Sequence, residues 1–344
     1  MNDGEAPKGC GNQILLDKLS ATLIDLFVVD AGIIVVDSAG VQLIGRDTQV
    51  LKSIPFTKQI TTAAFDGTTL VVTDADELTV MTPELDLGST ASTTESCASA
   101  VMVSQNRFIC GPSKDSKRVF YTYNVGVNPP LQIATSSEYS YNGIPMRRVP
   151  GMDSFVTVEN NNEPPGFSLF TVSSATGEAS LGGSSPFDDY QLYTGQSVAF
   201  DGSPATHMIQ ADGNMLSLTG SGCDGSELNS QSCFQSSGLL GVLSSEQSYV
   251  GLGDDGAGKL LALVMQIADF HLYQPPCANG CHIQVIDIAS RSILQQETFT
   301  SADLWSVVRM TYDVLCGDVI IGSEKFDQSE FNLSKGYKVQ SFGF

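Results

Sequence analysis

A degenerate unit of Phe-Asp-Gly-like turns, each flanked by short β-type runs, recurs along this chain. Ala63-Ala64-Phe65-Asp66-Gly67-Thr68-Thr69-Leu70 is echoed by Val198-Ala199-Phe200-Asp201-Gly202-Ser203-Pro204-Ala205. Met310-Thr311-Tyr312-Asp313 is a looser echo, and Val28-Val29-Asp30-Ala31-Gly32-Ile33-Ile34 fits the same frame. A strand–turn–strand unit repeated in this way is the sequence sign of a radially repeated β architecture. The unit constrains the fold. It carries no chemistry of its own.

Taking the first strand of each unit as a ruler predicts seven units. Their first strands are expected near Ile24–Asp30, Thr61–Asp66, Ser99–Ser104, Pro145–Gly151, Ser197–Gly202, Ser248–Asp254 and Ser306–Asp313. The spacings run from about 37 to just under 60 residues, around the period of propeller blades. The second unit reads as Thr61–Asp66, Thr69–Thr73, Leu78–Thr82 and a short Leu85–Leu87, separated by turn residues. Helical spacing is scarce. Gln13–Leu26 has some, but its β-branched residues favour strand for at least part of it. The last unit offers only three strands, Ser306–Asp313, Asp318–Glu324 and Tyr337–Phe342, so Gln13–Asp17 is expected to supply the fourth. That would close the ring and remove its open edge.

In this organisation the chain resembles the seven-bladed β-propellers as a fold group, over nearly its whole length. The resemblance implies one all-β domain over residues 1–344, with residues 1–12 as a tail and four-stranded antiparallel blades. It extends to no particular family, since the WD dipeptide, a repeated kelch Gly-Gly and the sialidase Asp-box are missing.

Composition narrows the setting. With 38 Asp and Glu against 17 Lys and Arg, the formal charge is −21. Such a chain repels nucleic acid and anionic membrane surfaces. No apolar run reaches transmembrane length. The eight cysteines are even in number and spaced for local pairs, which points to disulfides and an oxidising compartment: extracellular, cell-surface or periplasmic. Cys97 with Cys110, Cys223 with Cys233, and Cys277 with Cys281 are the local pairs; Cys10 with Cys316 remains, one near each end. A metal alternative has little support, because there is no CxxC and only His282 lies beside a cysteine. Met1-Asn2-Asp3-Gly4-Glu5 lacks an apolar signal core, so the disulfide scheme implies a leader already removed. Asn332-Leu333-Ser334 matches a glycosylation sequon.

Candidate chemistry lies where the repeat is broken. Arg148 falls where other units have Ala64, Ala199, Thr311 or Gly251, and Arg309 where they have Thr62, Ser197 or Ala100. Two arginines at otherwise small positions near the axis suit an anionic ligand such as a carboxylate, which a guanidinium grips as a fork. The alternative is that each pairs with an acidic neighbour. Calcium is the one cofactor considered, with Glu159, Asp201, Asp254 and Asp255 as its candidate ligands. Some calcium-dependent propeller hydrolases, of the lactonase and phosphotriesterase kind, use Glu, Asn and Asp from inner positions with a nearby His. Glu159-Asn160-Asn161-Asn162, Asp201 and His207 are the nearest approximation here. Gly253-Asp254-Asp255-Gly256-Ala257-Gly258-Lys259 matches seven P-loop positions, but Leu260 stands where Ser or Thr must hold magnesium, so a turn is expected. GxSxG is absent.

The expectation is a secreted or cell-surface module that binds a protein or glycan, with the calcium-dependent hydrolase as its rival. Long loops at 160–166, 220–238 and 270–281 would ornament it, with Tyr139, Tyr141, Tyr190, Tyr193, Phe270 and Tyr273 nearby. Peptide mapping without reduction should recover Cys10 linked to Cys316. Free thiols at both would refute closure by that bond, which chain entropy values at roughly 4–5 kcal/mol.

Overall fold

Leu260-Leu261-Ala262-Leu263-Val264-Met265 is an unbroken apolar run, and a strand tolerates one only where both its faces are covered. In the computed structural model, Lys259–Gln266 is such a strand, with every residue from Leu260 to Met265 buried. The structure describes residues 11–104, 106–112, 119–138, 146–159, 166–186, 198–210, 214–218, 235–239, 247–255, 257–266, 277–301, 304–325 and 336–344.

Among these residues the chain forms seven four-stranded antiparallel sheets and no helix. Six are simple meanders. Their first strands are Leu23–Val29, Thr62–Phe65, Cys97–Ser104, Met146–Arg148, Val198–Phe200 and Gln247–Asp254. The seventh begins with Leu304–Asp313, continues through Asp318–Lys325 and Tyr337–Phe342, and takes its fourth strand, Gln13–Lys18, from the start of the chain. Gln13 lies opposite Ser341, and Lys18 opposite Tyr337. The Gln13–Leu26 stretch is thus divided between two strands.

The core is a series of seven apolar clusters, each between neighbouring sheets. Successive strand residues point to opposite faces, so one strand feeds two clusters. Leu260, Ala262 and Val264 pack with Ala199 and Ile209 of the fifth sheet. Leu261, Leu263 and Met265 pack with Val307, Met310 and Val319 of the seventh. Ala63 and Val72 face the first sheet, while Ala64 and Val71 face the third. The remaining clusters join the third sheet to the fourth and the fourth to the fifth. The last joins Leu15, Ile320, Tyr337 and Val339 of the seventh sheet to Leu23, Leu26, Ile33 and Ile44 of the first. The arrangement is compatible with a propeller-like fold.

The repeated turn does the local work expected of it. One Asp66 carboxylate oxygen accepts hydrogen bonds from the Thr68 and Thr69 N–H groups, and Gly67 takes φ +101°. In the second sheet the fourth strand runs Leu87–Ser92 rather than Leu85–Leu87. Leu85 instead occupies the preceding turn at φ +60°, bonding the Thr82 carbonyl, and its side chain is buried. A half-exposed outer strand of Gly, Ser, Thr and Ala carries almost no apolar signal, whereas a buried turn leucine mimics one.

Close sheet approach explains part of the P-loop likeness. A Cβ at Gly253 would sit 2.1 Å from the Met310 carbonyl oxygen of the next sheet. Gly258 turns the chain at φ +104°, and Asp255 accepts from the Ala257 and Lys259 N–H groups.

Polar groups reinforce the contact of the seventh sheet with the first. Asp37, at the end of a first-sheet strand, is 1% exposed. It accepts from Lys18 Nζ at 2.5 Å, Tyr337 Oη at 2.7 Å, and the Ala39 and Gly40 N–H groups. Burial works to raise its carboxyl, but the bonds from Lys18, Tyr337 and Ala39 outweigh burial and hold it below the ordinary carboxylate value. Its stabilisation is therefore present above the unfolded carboxylate pKa and lost as pH falls through the depressed folded value. Asp37→Ala should cost about 3–5 kcal/mol at pH 7 by stranding Lys18 and Tyr337, and Asp37→Asn should flatten the acid limb of stability against pH. Denaturant titrations across the acid range check both.

Disulfides join Cys97 to Cys110 and Cys277 to Cys281, with Cα atoms 5.3 and 5.1 Å apart. Cys316 is also disulfide-bonded. Its expected partner Cys10, the pair Cys223 and Cys233, the loops at 160–165, 219–234 and 267–276, and Asn332 lie outside the described residues. No helix among the described residues is long and apolar enough to cross a membrane.

Candidate functional site

The first strand of every sheet pairs on one side only, because each stands at the end of its sheet's order. All seven of these strands border one cavity of about 820 Å³. Their other edges therefore bring backbone N–H and C=O groups to its wall.

Arg148 and Arg309, the two departures from the repeat, both line this cavity, but in different states. Arg309 Nε lies 2.9 Å from Asp25 Oδ1 and its Nη2 donates to Oδ2 at 3.2 Å, a fork within one ion pair. The guanidinium also stands 5.6 Å from the centre of the Phe27 ring. Arg148 has no such neighbour. Its Nε is buried without a hydrogen-bond partner, and no carboxylate among the described residues pairs with it.

Sequence reasoning missed two participants. Arg46, from the turn after Gly40–Ile44, donates to both carboxylate oxygens of Asp313, at 2.6 and 3.0 Å, and to the carbonyls of Asp30 and Val29. An arginine between Gly45 and Asp47 reads as loop surface, with no signal to set it apart. Asp25 did have one: it interrupts the apolar run from Leu23 to Val29. Arg147, beside Arg148, lines the same cavity.

Asp201, Asp254 and Asp255, three of the proposed calcium ligands, each accept hydrogen bonds from nearby N–H groups. Asp254 lines the cavity, where its carboxylate accepts the Phe200 N–H at 3.1 Å. Asp255 serves its own turn. Asp201 accepts from the N–H groups of Thr206 and His207, from the Thr206 hydroxyl, and approaches His207 Nδ1 at 2.8 Å. Burial works to raise its carboxyl, and the bonds from Thr206 and His207 outweigh it, so Asp201 stays below the ordinary value. Glu159 ends a strand of the fourth sheet, Ser154–Glu159. Among the described residues no group of three or more His, Cys, Asp or Glu is placed to hold a metal ion.

No family model and no curated protein sequence matches the chain. Among solved structures, a functionally unknown protein from Desulfotomaculum acetoxidans DSM 771 is similar, with a TM-score of 0.56 at 12% identity. The match covers 85% of this chain and 88% of that one. The likeness is one of fold alone.

Burial pushes the Asp25 carboxyl above its ordinary value, against the opposing charge of Arg309 and the Leu26 N–H. A raised folded pKa means that ionising Asp25 costs stability as pH climbs from the unfolded carboxylate value through the folded one. Removing Arg309 should deepen that cost. The stability deficit of Arg309→Met relative to wild type is expected to be larger at pH 7 than at pH 4, by denaturant titration at each pH. An equal deficit at both would mean that the pair contributes packing alone.

Proposed function

We infer that this chain is a secreted or cell-surface seven-bladed β-propeller serving as a binding or structural module for a protein or glycan. Seven apolar clusters in cyclic order, with Gln13–Lys18 paired to Tyr337–Phe342, support a ring of seven blades closed by the N-terminal segment. The disulfides support an oxidising compartment. A formal charge of −21 argues against nucleic acid as the partner.

One observation carries the binding assignment. The cavity bordered by all seven first strands is lined by Arg148, whose buried Nε has no hydrogen-bond partner, while Arg46 and Arg309 on the same wall are paired with Asp313 and Asp25. Its volume falls in the range of small-molecule sites, roughly 300–1,000 Å³. A calcium-dependent hydrolase would instead need oxygen ligands converging on one point, and Asp201 and Asp255 are engaged in their own turns.

Native mass spectrometry with calcium present, followed by thermal melts with and without chelator, separates the two. The binding module is expected to carry no stoichiometric calcium and to melt within about 1 °C in both conditions, well below the shift that 1 kcal/mol would produce. One calcium per chain, whose removal lowers the melting temperature, would favour the hydrolase.

A further inference from the structure

Asp66 and Asp201 are each followed by glycine at the turn that ends a first strand, but Asp313 is followed by Val314 and Leu315. Tight turns favour Gly, Asn, Asp and Ser, so two branched aliphatics at a tip need a reason. They are 72% and 57% exposed. The tip is also held in place. Asp313 accepts the Leu315 N–H at 3.1 Å on its carboxylate and the Gly317 N–H at 2.7 Å on its carbonyl, and Arg46 grips the same carboxylate. Cys316, next in the turn, is disulfide-bonded.

Arg46 gathers further exposed aliphatics round this tip. Its carbonyl accepts from Gln13 Nε2 at 2.9 Å, beside Ile14, and a Cβ on the adjoining Gly45 would lie 3.5 Å from the Leu51 side chain. Ile14, Val50 and Leu51 are all exposed. Asn12 extends the surface the other way. It accepts the Gly343 N–H, beside exposed Phe344, and donates to Glu297 on the sixth-sheet strand that carries exposed Ile293 and Leu294. Eight of the thirteen exposed large hydrophobics among the described residues therefore lie at this one end of the sixth, seventh and first sheets. Aliphatics scattered singly need no explanation, but a concentration of this kind marks an interaction surface.

We propose that this end of the three sheets is a docking surface for a protein partner that presents apolar side chains flanked by Lys or Arg, with Val314 and Leu315 as the anchor. This rests on the binding reading above and names the partner as a basic protein rather than a glycan. Charge selects the occupant. The segments 30–31, 45–49, 254–259, 287–291 and 313–318, which turn the chain at this end, carry seven aspartates against Arg46, Lys259 and Arg291. Arg46 is already neutralised by Asp313, and Lys259 Nζ stands 4.7 Å from the centre of the Tyr312 ring. Asp30 and Asp47 are exposed. A second copy would bring the same aspartates against these, and an anionic lipid surface would bring its phosphates, so both are repelled. A basic rim round an apolar centre meets the aspartates and the aliphatics together. An anchor already fixed by Asp313 and Arg46 also loses little conformational freedom on binding.

The test uses the full chain, with a short amphipathic helical peptide of leucine and lysine as the probe. In one comparison peptide serine replaces leucine, and in another glutamate replaces lysine. Calorimetry at physiological salt is expected to give saturable binding of one leucine–lysine peptide per chain, with both comparison peptides at least tenfold weaker. Val314→Ser combined with Leu315→Ser should weaken the probe at least tenfold, whereas Leu87→Ser on the second sheet should change nothing. Asp30→Asn combined with Asp47→Asn should weaken it and flatten its salt dependence. Unchanged melting temperatures would show that these variants fold. Absence of saturable binding, equal affinity in the double serine variant, or equal affinity of the serine–lysine peptide overturns the assignment. Phosphatidylcholine vesicles that retain the wild type but not the double serine variant would overturn it in favour of lipid. Self-association that the same variant abolishes would overturn it in favour of a second copy. Failure of the broader binding reading would appear separately, as stoichiometric calcium in the untreated protein.

Discussion

Burial of the middle strands on both faces is the constraint from which the rest of this structure follows. Leu260–Met265 cannot be covered by one neighbour, because alternate side chains leave the strand in opposite directions. No sheet here is a stable unit by itself, and each requires a neighbour on either side. For the first and seventh sheets that requirement can be met only by each other. The contact between them combines the apolar cluster around Leu26 and Tyr337 with three ionic contacts, at Asp37, Asp25 and Asp313. A buried ion pair adds little net stability but is expensive to break, so these groups act more as a register for the join than as its driving force.

The same geometry produces the cavity. The first strand of each sheet stands at the end of its sheet's order, with one unpaired edge, and all seven border the cavity. The floor of any function in this fold is therefore a ring of backbone polar groups, on which individual side chains impose selectivity. Small residues such as Ala63, Ala64 and Ala100 are among those that line the cavity. The arginines intrude into it. Arg46 and Arg309 are consumed in holding neighbouring sheets together, whereas the buried Nε of Arg148 has no partner.

Much of the fold was legible because its turns and inner strands obey local rules. The first strands were expected within a few residues of where they lie, since turn-forming residues such as Asp66-Gly67 and Asp201-Gly202 end the apolar runs. The N-terminal strand was legible from arithmetic, a three-stranded last unit needing a fourth. Outer strands such as Leu87–Ser92 were not, because an exposed strand needs no apolar pattern. Arg148 and Arg309 were found as breaks in the repeat, but their different states were not legible. Whether an arginine has a partner depends on residues such as Asp25, 284 positions away from Arg309 in sequence. Arg46 escaped notice for the same reason: its partner Asp313 is 267 positions distant.

The N-terminal segment and the end of the last strand are tied together at the seventh sheet. The Gly343 N–H donates to the Asn12 side chain at 2.8 Å, and the Gly11 N–H donates to Asp318. With the N-terminal strand in place, the apolar clusters run from each sheet to the next and from the seventh to the first. Joining residues 12 and 343 through a short linker and opening the chain at another junction between sheets would preserve every apolar cluster. The permuted chain would keep the same cavity and the same Arg148, with its new ends held only by the packing at the new junction.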